Sequence, residues 1–160
     1  MASLRFRQEG ETRTLYAPEL NSIDEGKTVI TTAPSSIWID GINDAQQRAL
    51  AHRMAFEGHI RRIRLPSAFA SALDGGGEAI AWAYGAIDGA RLYIESVVTR
   101  CDQRRNAHAK RTVRGLFDWA KRNGASSAVL QVQANNEPAC NLYEGLGFKE
   151  ELYRYRYWRA

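Results

Sequence analysis

Metal ligands and cross-links are what this chain has least of. Two cysteines, Cys101 and Cys140, and three histidines, His52, His59 and His108, are spread through 160 residues. The cysteines form neither a metal-type pair nor a disulfide framework, and the histidines show no paired ligand spacing, so no metal site is expected. Long apolar runs are also missing. No segment approaches the roughly 20 residues that a helix needs to cross a bilayer, and the N-terminus has no apolar run of the signal-peptide kind. A reducing cytoplasm is the simplest expected home. Proline, glycine and like charges nowhere cluster into a linker, and no repeat is present, so residues 1–160 are expected to form one domain. Charge of a single sign is scarce as well: 22 basic residues face 18 acidic ones, for a net charge of +4. So modest an excess suits an anionic ligand without demanding nucleic acid.

What the chain does have is concentrated between Leu92 and Phe148. The apolar run L-Y-I-E-S-V-V-T (92–99) leads into a short basic turn, R-R-N-A-H-A (104–109). The turn opens into the amphipathic segment K-R-T-V-R-G-L-F-D-W-A-K-R-N-G (110–124), in which Val113, Leu116, Phe117 and Ala120 recur at helical spacing. Strand, small-residue loop and helix start therefore follow one another. The first backbone N–H groups of a helix lack internal partners, and the helix dipole favours negative charge there, so this junction is suited to an anion. Ala107 and Ala109 let a phosphate approach the backbone. Arg104, Arg105, Lys110 and Arg111 add positive charge around the same point.

Taken in order, residues 1–11 are polar and expected to fray. T-R-T-L-Y-A (12–17) and K-T-V-I-T-T-A (27–33) read as two strands around a loop. S-S-I-W-I-D-G places Trp38 among isoleucines, as a buried indole. From Asn43 or Asp44 the pattern predicts one helix that Gly58 would end, with Ala49, Leu50, Arg53, Met54 and Phe56 near one side. H-I-R-R-I-R-L-P (59–66) suits a strand or a loop. Residues 67–73, 78–87 and 90–99, joined by D-G-G-G and D-G, predict an antiparallel meander. The D-G-G-G run is not a phosphate loop, because a strand follows it. S-A-V-L-Q-V-Q (127–133) is a strand, Asn135 or Asn136 caps a short helix that tolerates Pro138, Gly147 closes it, and the alternating tail K-E-E-L-Y-R-Y-R-Y-W-R is a strand.

The basic turn resembles the pyrophosphate loop of the GNAT superfamily of acyl-CoA-dependent N-acyltransferases, whose pattern is Gln or Arg, two residues, Gly, one residue, then Gly or Ala. Arg104, Ala107 and Ala109 occupy those places. Reading from Gln103 would instead put Asn106 and His108 in the small positions, and the distance back from Gly124 favours Arg104. The later run N-N-E-P-A-C-N-L-Y-E-G-L-G-F matches in the same order, with Asn136, Ala139, Leu142, Tyr143, Gly147 and Phe148 at the family's positions. The resemblance covers about residues 66–158; residues 1–65 match poorly. Its one departure is Ala107, where the family usually has Gly and a Cβ can crowd the ligand.

The resemblance implies an α/β fold: a mixed, mostly antiparallel sheet flanked by helices, with a parallel strand pair that splays to form the cofactor slot. It implies acetyl-CoA as co-substrate and a small-molecule or peptide amine as acceptor, with the acceptor groove beside the helix of the poorly matched part. Main-chain groups of Val97, Val98 and Thr99 would meet the pantetheine arm, and Arg104, Arg105, Asn106, Ala107, His108 and Ala109 the pyrophosphate, with Asn136 and Tyr143 completing the cofactor site. Tyr143 would donate a proton to the departing thiolate, since a phenol near pKa 10 stays protonated at neutral pH. Glu95 would act as the base that frees the amine, unless it is a solvated outer-face residue. Cys101 has no histidine placed beside it by a motif, and the resemblance implies direct attack, the family's usual route, without a covalent intermediate. The rival reading is a catalytically impaired binding module for RNA or a protein, built on Arg61, Arg62, Arg64 and the tail tyrosines interleaved with Arg154 and Arg156. Against it, alternation along a strand puts tyrosines on one face and arginines on the other, one set packing and the other solvated. The tail also offers a homodimer edge.

Overall fold

The structure, a computed structural model, describes residues 7–22 and 28–159. Its elements are β1 (Arg7–Ala17), β2 (Thr28–Thr31), α1 (Ser36–Ala45), α2 (Leu50–Ile60), β3 (Ser67–Leu73), β4 (Ala79–Asp88), β5 (Arg91–Thr99), α3 (His108–Arg122), β6 (Ser127–Gln133), α4 (Glu137–Gly145) and β7 (Glu150–Arg159). The described strands form one sheet in the order β2-β3-β4-β5-β6-β1-β7. Every neighbouring pair is antiparallel except β5 and β6, which α3 connects as a crossover helix. No described helix is long and apolar enough to cross a membrane.

The meander forms because its turns carry the right residues. Asp74 Oδ1 accepts from the Gly76 and Glu78 backbone N–H groups at 2.8 and 2.9 Å, and Gly77 and Gly89 supply the positive φ of the two turns. Two buried clusters then cover the sheet. On one face α3 and α4 set Val113, Leu116, Phe117 and Tyr143 against Leu92 and Leu130. On the other, α1 and α2 cover Phe69, Trp82, Tyr84 and Val98 with Trp38, Ile42 and Ile60. Trp38 is buried, as its neighbours suggested, and its Nε1 donates to the Ala70 carbonyl at 3.0 Å. Gly41 lets α1 lie directly on this cluster, because a Cβ there would come within 2.8 Å of the Trp82 indole.

The N-terminal third differs from its sequence reading in three respects. The two early strands exist, but they are not partners: β2 is one edge of the sheet, while β1 inserts between β6 and β7. Residues 7–11 consequently belong to a strand paired with β7 rather than to a frayed end, while residues 1–6, and the Lys27 end of the second strand, lie outside the described residues. The helix expected from Asn43 begins at Leu50 instead, and Asn43 and Asp44 fall in a separate, earlier helix, Ser36–Ala45. Ser35 caps that earlier helix through its Oγ, and the break falls at Gln47, which has φ 52°. Gly58 lies inside α2, and Leu50 and Met54 face outward at 74% and 68% exposure. Residues 61–66 form a turn, with no strand.

The tail strand is a sheet edge, and among its described residues neither face packs as the alternation predicted. Tyr153 and Tyr157 are exposed, and Tyr155 is half-buried, donating to Gln131 Oε1 at 2.8 Å. The arginines are not free: Arg154 pairs with Glu11 and Glu151, and Arg156 with Glu11.

Candidate active site

Strands β5 and β6 pair only from Arg91↔Ser127 to Ile94↔Leu130. Beyond that point they continue to Thr99 and Gln133 without meeting each other. A bulge drives them apart: Tyr84 lies opposite Glu95 and Trp82 opposite Val98, so β5 carries one extra residue, and Ser96 takes φ 53° to accommodate it. The result is a slot in the middle of the sheet. Val97, Val98 and Thr99 run along its β5 wall, where the main chain has no ladder partner on the β6 side among the described residues.

After a short turn at Cys101–Gln103 the chain reaches Arg104, and two residues in the left-handed region, Arg105 (φ 66°) and Ala107 (φ 58°), fold it back over the start of α3. Ala107 is the N-cap of α3 and contributes no side-chain hydrogen bond, whereas Ser35 and Asn136 cap α1 and α4 with their oxygens. The first-turn amides of α3 are thus left for an external acceptor. Arg104, Arg105 and Asn106 are exposed around them, and neither arginine is ion-paired among the described residues. Arg111 is half-buried rather than exposed with them. It turns inward and donates to the Leu73 carbonyl at 2.9 Å and to His108 Nδ1 at 3.0 Å, tying α3 to the end of β3. The His108 imidazole therefore faces Arg111, and burial, with the Arg111 charge second, holds its pKa below the ordinary value. Free amides, half-buried Ala109 and two exposed guanidinium groups fit a pyrophosphate.

Ala107 is conformationally strained. A residue with a Cβ costs about 1–2 kcal/mol in the left-handed region, and Gly costs about 0.5–1 kcal/mol in lost chain entropy. Relief outweighs entropy. Ala107→Gly is expected to raise the denaturation midpoint modestly; a lower midpoint in a urea titration would show that the Cβ is needed.

At the other end of the slot, the cross-strand pairing puts Glu95 on the same face as the buried Tyr84, beneath α1 and α2. The Glu95 side chain reaches solvent and forms no ion pair among the described residues, yet desolvation by its surroundings raises its pKa, opposed by the charge of His59. Tyr143 stands on α4 within the cluster of the opposite face, 7% exposed, its ring edge-on to Phe148 at 5.9 Å between centroids. Burial pushes its phenol up to about 12, and the Cys140 and Glu95 charges act in the same direction. Tyr84 is also raised to about 12, by burial first and Glu95 second. Both phenols hold their protons at neutral pH. Asn136 is exposed, and its Oδ1 accepts from the Ala139 N–H at 3.2 Å, so that oxygen is committed to α4.

Tyr84 was missed in the sequence, although counting back from the two-residue turn after Asp88 places it opposite Glu95. A cleft of about 650 Å³ opens beside the end of β5, lined by Trp38, Gly41, Phe69, Trp82, Arg100 and Cys101 among others. Among the described residues no group of three His, Cys, Asp or Glu side chains is placed to hold a metal ion.

The chain is similar to the "Uncharacterized N-acetyltransferase YobR" of Bacillus subtilis (strain 168), with 27% identity over 115 residues, 72% of this chain and 46% of that protein. It thus spans about half the length of this curated relative. Among solved structures it superposes on a tandem GNAT protein from the clavulanic acid biosynthesis pathway with a TM-score of 0.75 at 13% identity, covering 97% of this chain and 55% of that one. It also superposes on AAC(6')-Iy in complex with the bisubstrate analogue CoA-S-monomethyl-acetylneamine, with a TM-score of 0.63 at 16% identity over 83% of this chain and 97% of that one. These likenesses speak to the fold. The model of the Acetyltransferase (GNAT) family matches residues 34–148, reaching well upstream of the basic turn, and the chain belongs to that family.

Proposed function

We propose that this chain is an acetyl-CoA-dependent N-acetyltransferase that acetylates a primary amine by direct attack. One observation carries the reading: an open slot between parting parallel strands, with an uncapped, arginine-flanked helix start at one end and Glu95 at the other. Bound acetyl-CoA supplies the acetyl group as an activated thioester. The amides of α3 and the side chains of Arg104 and Arg105 hold the pyrophosphate. The unpaired main chain of Val97, Val98 and Thr99 orients the pantetheine arm and presents an N–H to the carbonyl oxygen, where negative charge develops. Glu95 takes a proton from the substrate ammonium. Tyr143 keeps a proton at its Oη for the departing sulfur. The binding-module alternative has weaker support, because Arg154 and Arg156 are already neutralised by Glu11 and Glu151.

Release of free thiol from acetyl-CoA over a panel of primary amines tests the proposal. Amine-dependent release is expected, and release absent for every amine tested would reject it. Within the same reading, Arg104→Glu is expected to weaken acetyl-CoA binding by about 10-fold or more while the melting midpoint is unchanged, since an exposed, unpaired loop arginine contributes little to stability. Binding of a pantetheine fragment without phosphates should be far less affected; equal loss for both would make Arg104 a structural residue.

A further inference from the structure

The junction of α1 and α2 presents an arginine whose charge no carboxylate among the described residues neutralises. Arg48 is half-buried just after Gln47, the left-handed residue that separates the two helices. Its guanidinium lies 3.7 Å over the Phe56 ring, and its Nη1 donates to Oδ1 of Asn43 at 3.0 Å, an asparagine only 2% exposed. Ring stacking and a buried acceptor fix the position of the group without neutralising it. The neighbouring carboxylates are occupied: Asp44 pairs with Arg53 at 2.7 Å and Glu57 with Arg61 at 2.8 Å. Arg53 Nε also donates to the Arg48 carbonyl at 2.8 Å, which braces the junction. No carboxylate among the described residues pairs with Arg48, and desolvation lowers its pKa, as expected for a cation held without a counter-ion.

The place matters as much as the charge. Phe56, under Arg48, packs edge-on to Tyr84 with 6.3 Å between ring centroids, and Tyr84 is the cross-strand partner of Glu95. An unpaired cation and an unpaired carboxylate therefore flank one aromatic floor, one contributed by the helix junction and the other by β5. A ligand that answers both carries an amine at one end and an acid at the other.

Resting on the N-acetyltransferase reading, we infer that the acceptor is an amine that also bears a carboxylate, held by the Arg48 guanidinium while its amine is presented to Glu95. A half-buried guanidinium of fixed orientation binds a carboxylate through paired N–H donors and discriminates strongly against a neutral amide of the same shape. The carboxylate belongs either to the α-carbon of a free amino acid or to a more distant acidic group on a peptide.

Initial rates with alanine against alaninamide, and with glycylglycine against glycylglycinamide, separate those two sources in the wild type, Arg48→Met and Arg48→Lys proteins. The acid of one pair is expected to have a KM about 10–100-fold below that of its amide. Arg48→Met should abolish the difference by raising KM for the acid alone, with kcat retained, and Arg48→Lys should restore part of it. Saturation-transfer NMR with N-acetylalanine and N-acetylalaninamide in the presence of CoA reads the same site without turnover; only the acid should bind, and only with Arg48 intact. Acid and amide used equally by an active enzyme would overturn this inference and leave the acetyltransferase reading standing. Arg48-dependent binding of N-acetylalanine by a protein that acetylates no amine would do the reverse. Loss of kcat for every acceptor in Arg48→Met would make the residue structural and sink the proposal.

Discussion

Tyr143→Phe is expected to lower turnover by about 10²–10⁴-fold, the usual contribution of a positioned general acid, with little change in acetyl-CoA affinity. The substitution removes one hydroxyl and almost no volume, so the packing of the ring against Phe148 survives and stability should be nearly unchanged. The environment of the group is what makes the prediction strong. Burial raises the phenol to about 12, which keeps the proton in place throughout the neutral range. A thiol near pKa 8.5 is the weaker base as its thiolate, so transfer from so weak an acid requires that the phenol be within reach of the sulfur as charge develops there. No loss of activity on the acid side of catalysis is expected until the pH approaches 12. Single-turnover measurements decide the matter: an unchanged chemical step in Tyr143→Phe would leave Tyr143 as core packing and assign the proton to solvent.

Glu95→Gln should be comparably damaging, and its signature is a lost pH dependence. A base works only when ionised, and the Glu95 carboxyl is raised above its ordinary value by desolvation. In the wild type, kcat/KM is expected to rise as the pH increases through that elevated value; in Glu95→Gln the limb should flatten and the plateau fall by about 10²–10⁴-fold. Stability should move the other way. A carboxyl whose folded pKa is raised favours the folded state fully below its unfolded value, and that favour is lost as pH rises through the folded one. At neutral pH the ionised Glu95 therefore costs stability, and the glutamine should melt higher. A variant that is more stable and less active marks a group kept for function. Unaltered activity with the limb intact would place the base elsewhere.

The parts of the site that could be read in the sequence are those whose geometry is local. The glycine turns at Gly77 and Gly89 fixed the meander, the apolar spacing of Val113, Leu116 and Phe117 fixed α3, and Asn136 and Gly147 bracketed α4. From these the parallel placement of β5 and β6 followed, because their connection is a helix. What escaped was either non-local or unsignalled. The place of β1 between β6 and β7 depends on pairings such as Leu15↔Leu130 and Thr14↔Tyr153, which no window along the chain contains. The break between α1 and α2 falls on Gln47, a residue without glycine's freedom, in a stretch whose helical periodicity runs on unbroken. Arg111 looked like a fourth phosphate ligand, and only the fold shows that the Leu73 carbonyl and His108 claim it. Arg48 carried no motif at all, and its interest lies in what surrounds it.

The central claim is that the slot and the uncapped start of α3 together bind acetyl-CoA. Isothermal titration of the wild-type chain with acetyl-CoA tests it most directly: saturable binding at micromolar cofactor, weakened by Arg104→Glu, is the predicted result, and no binding at millimolar cofactor would contradict the account.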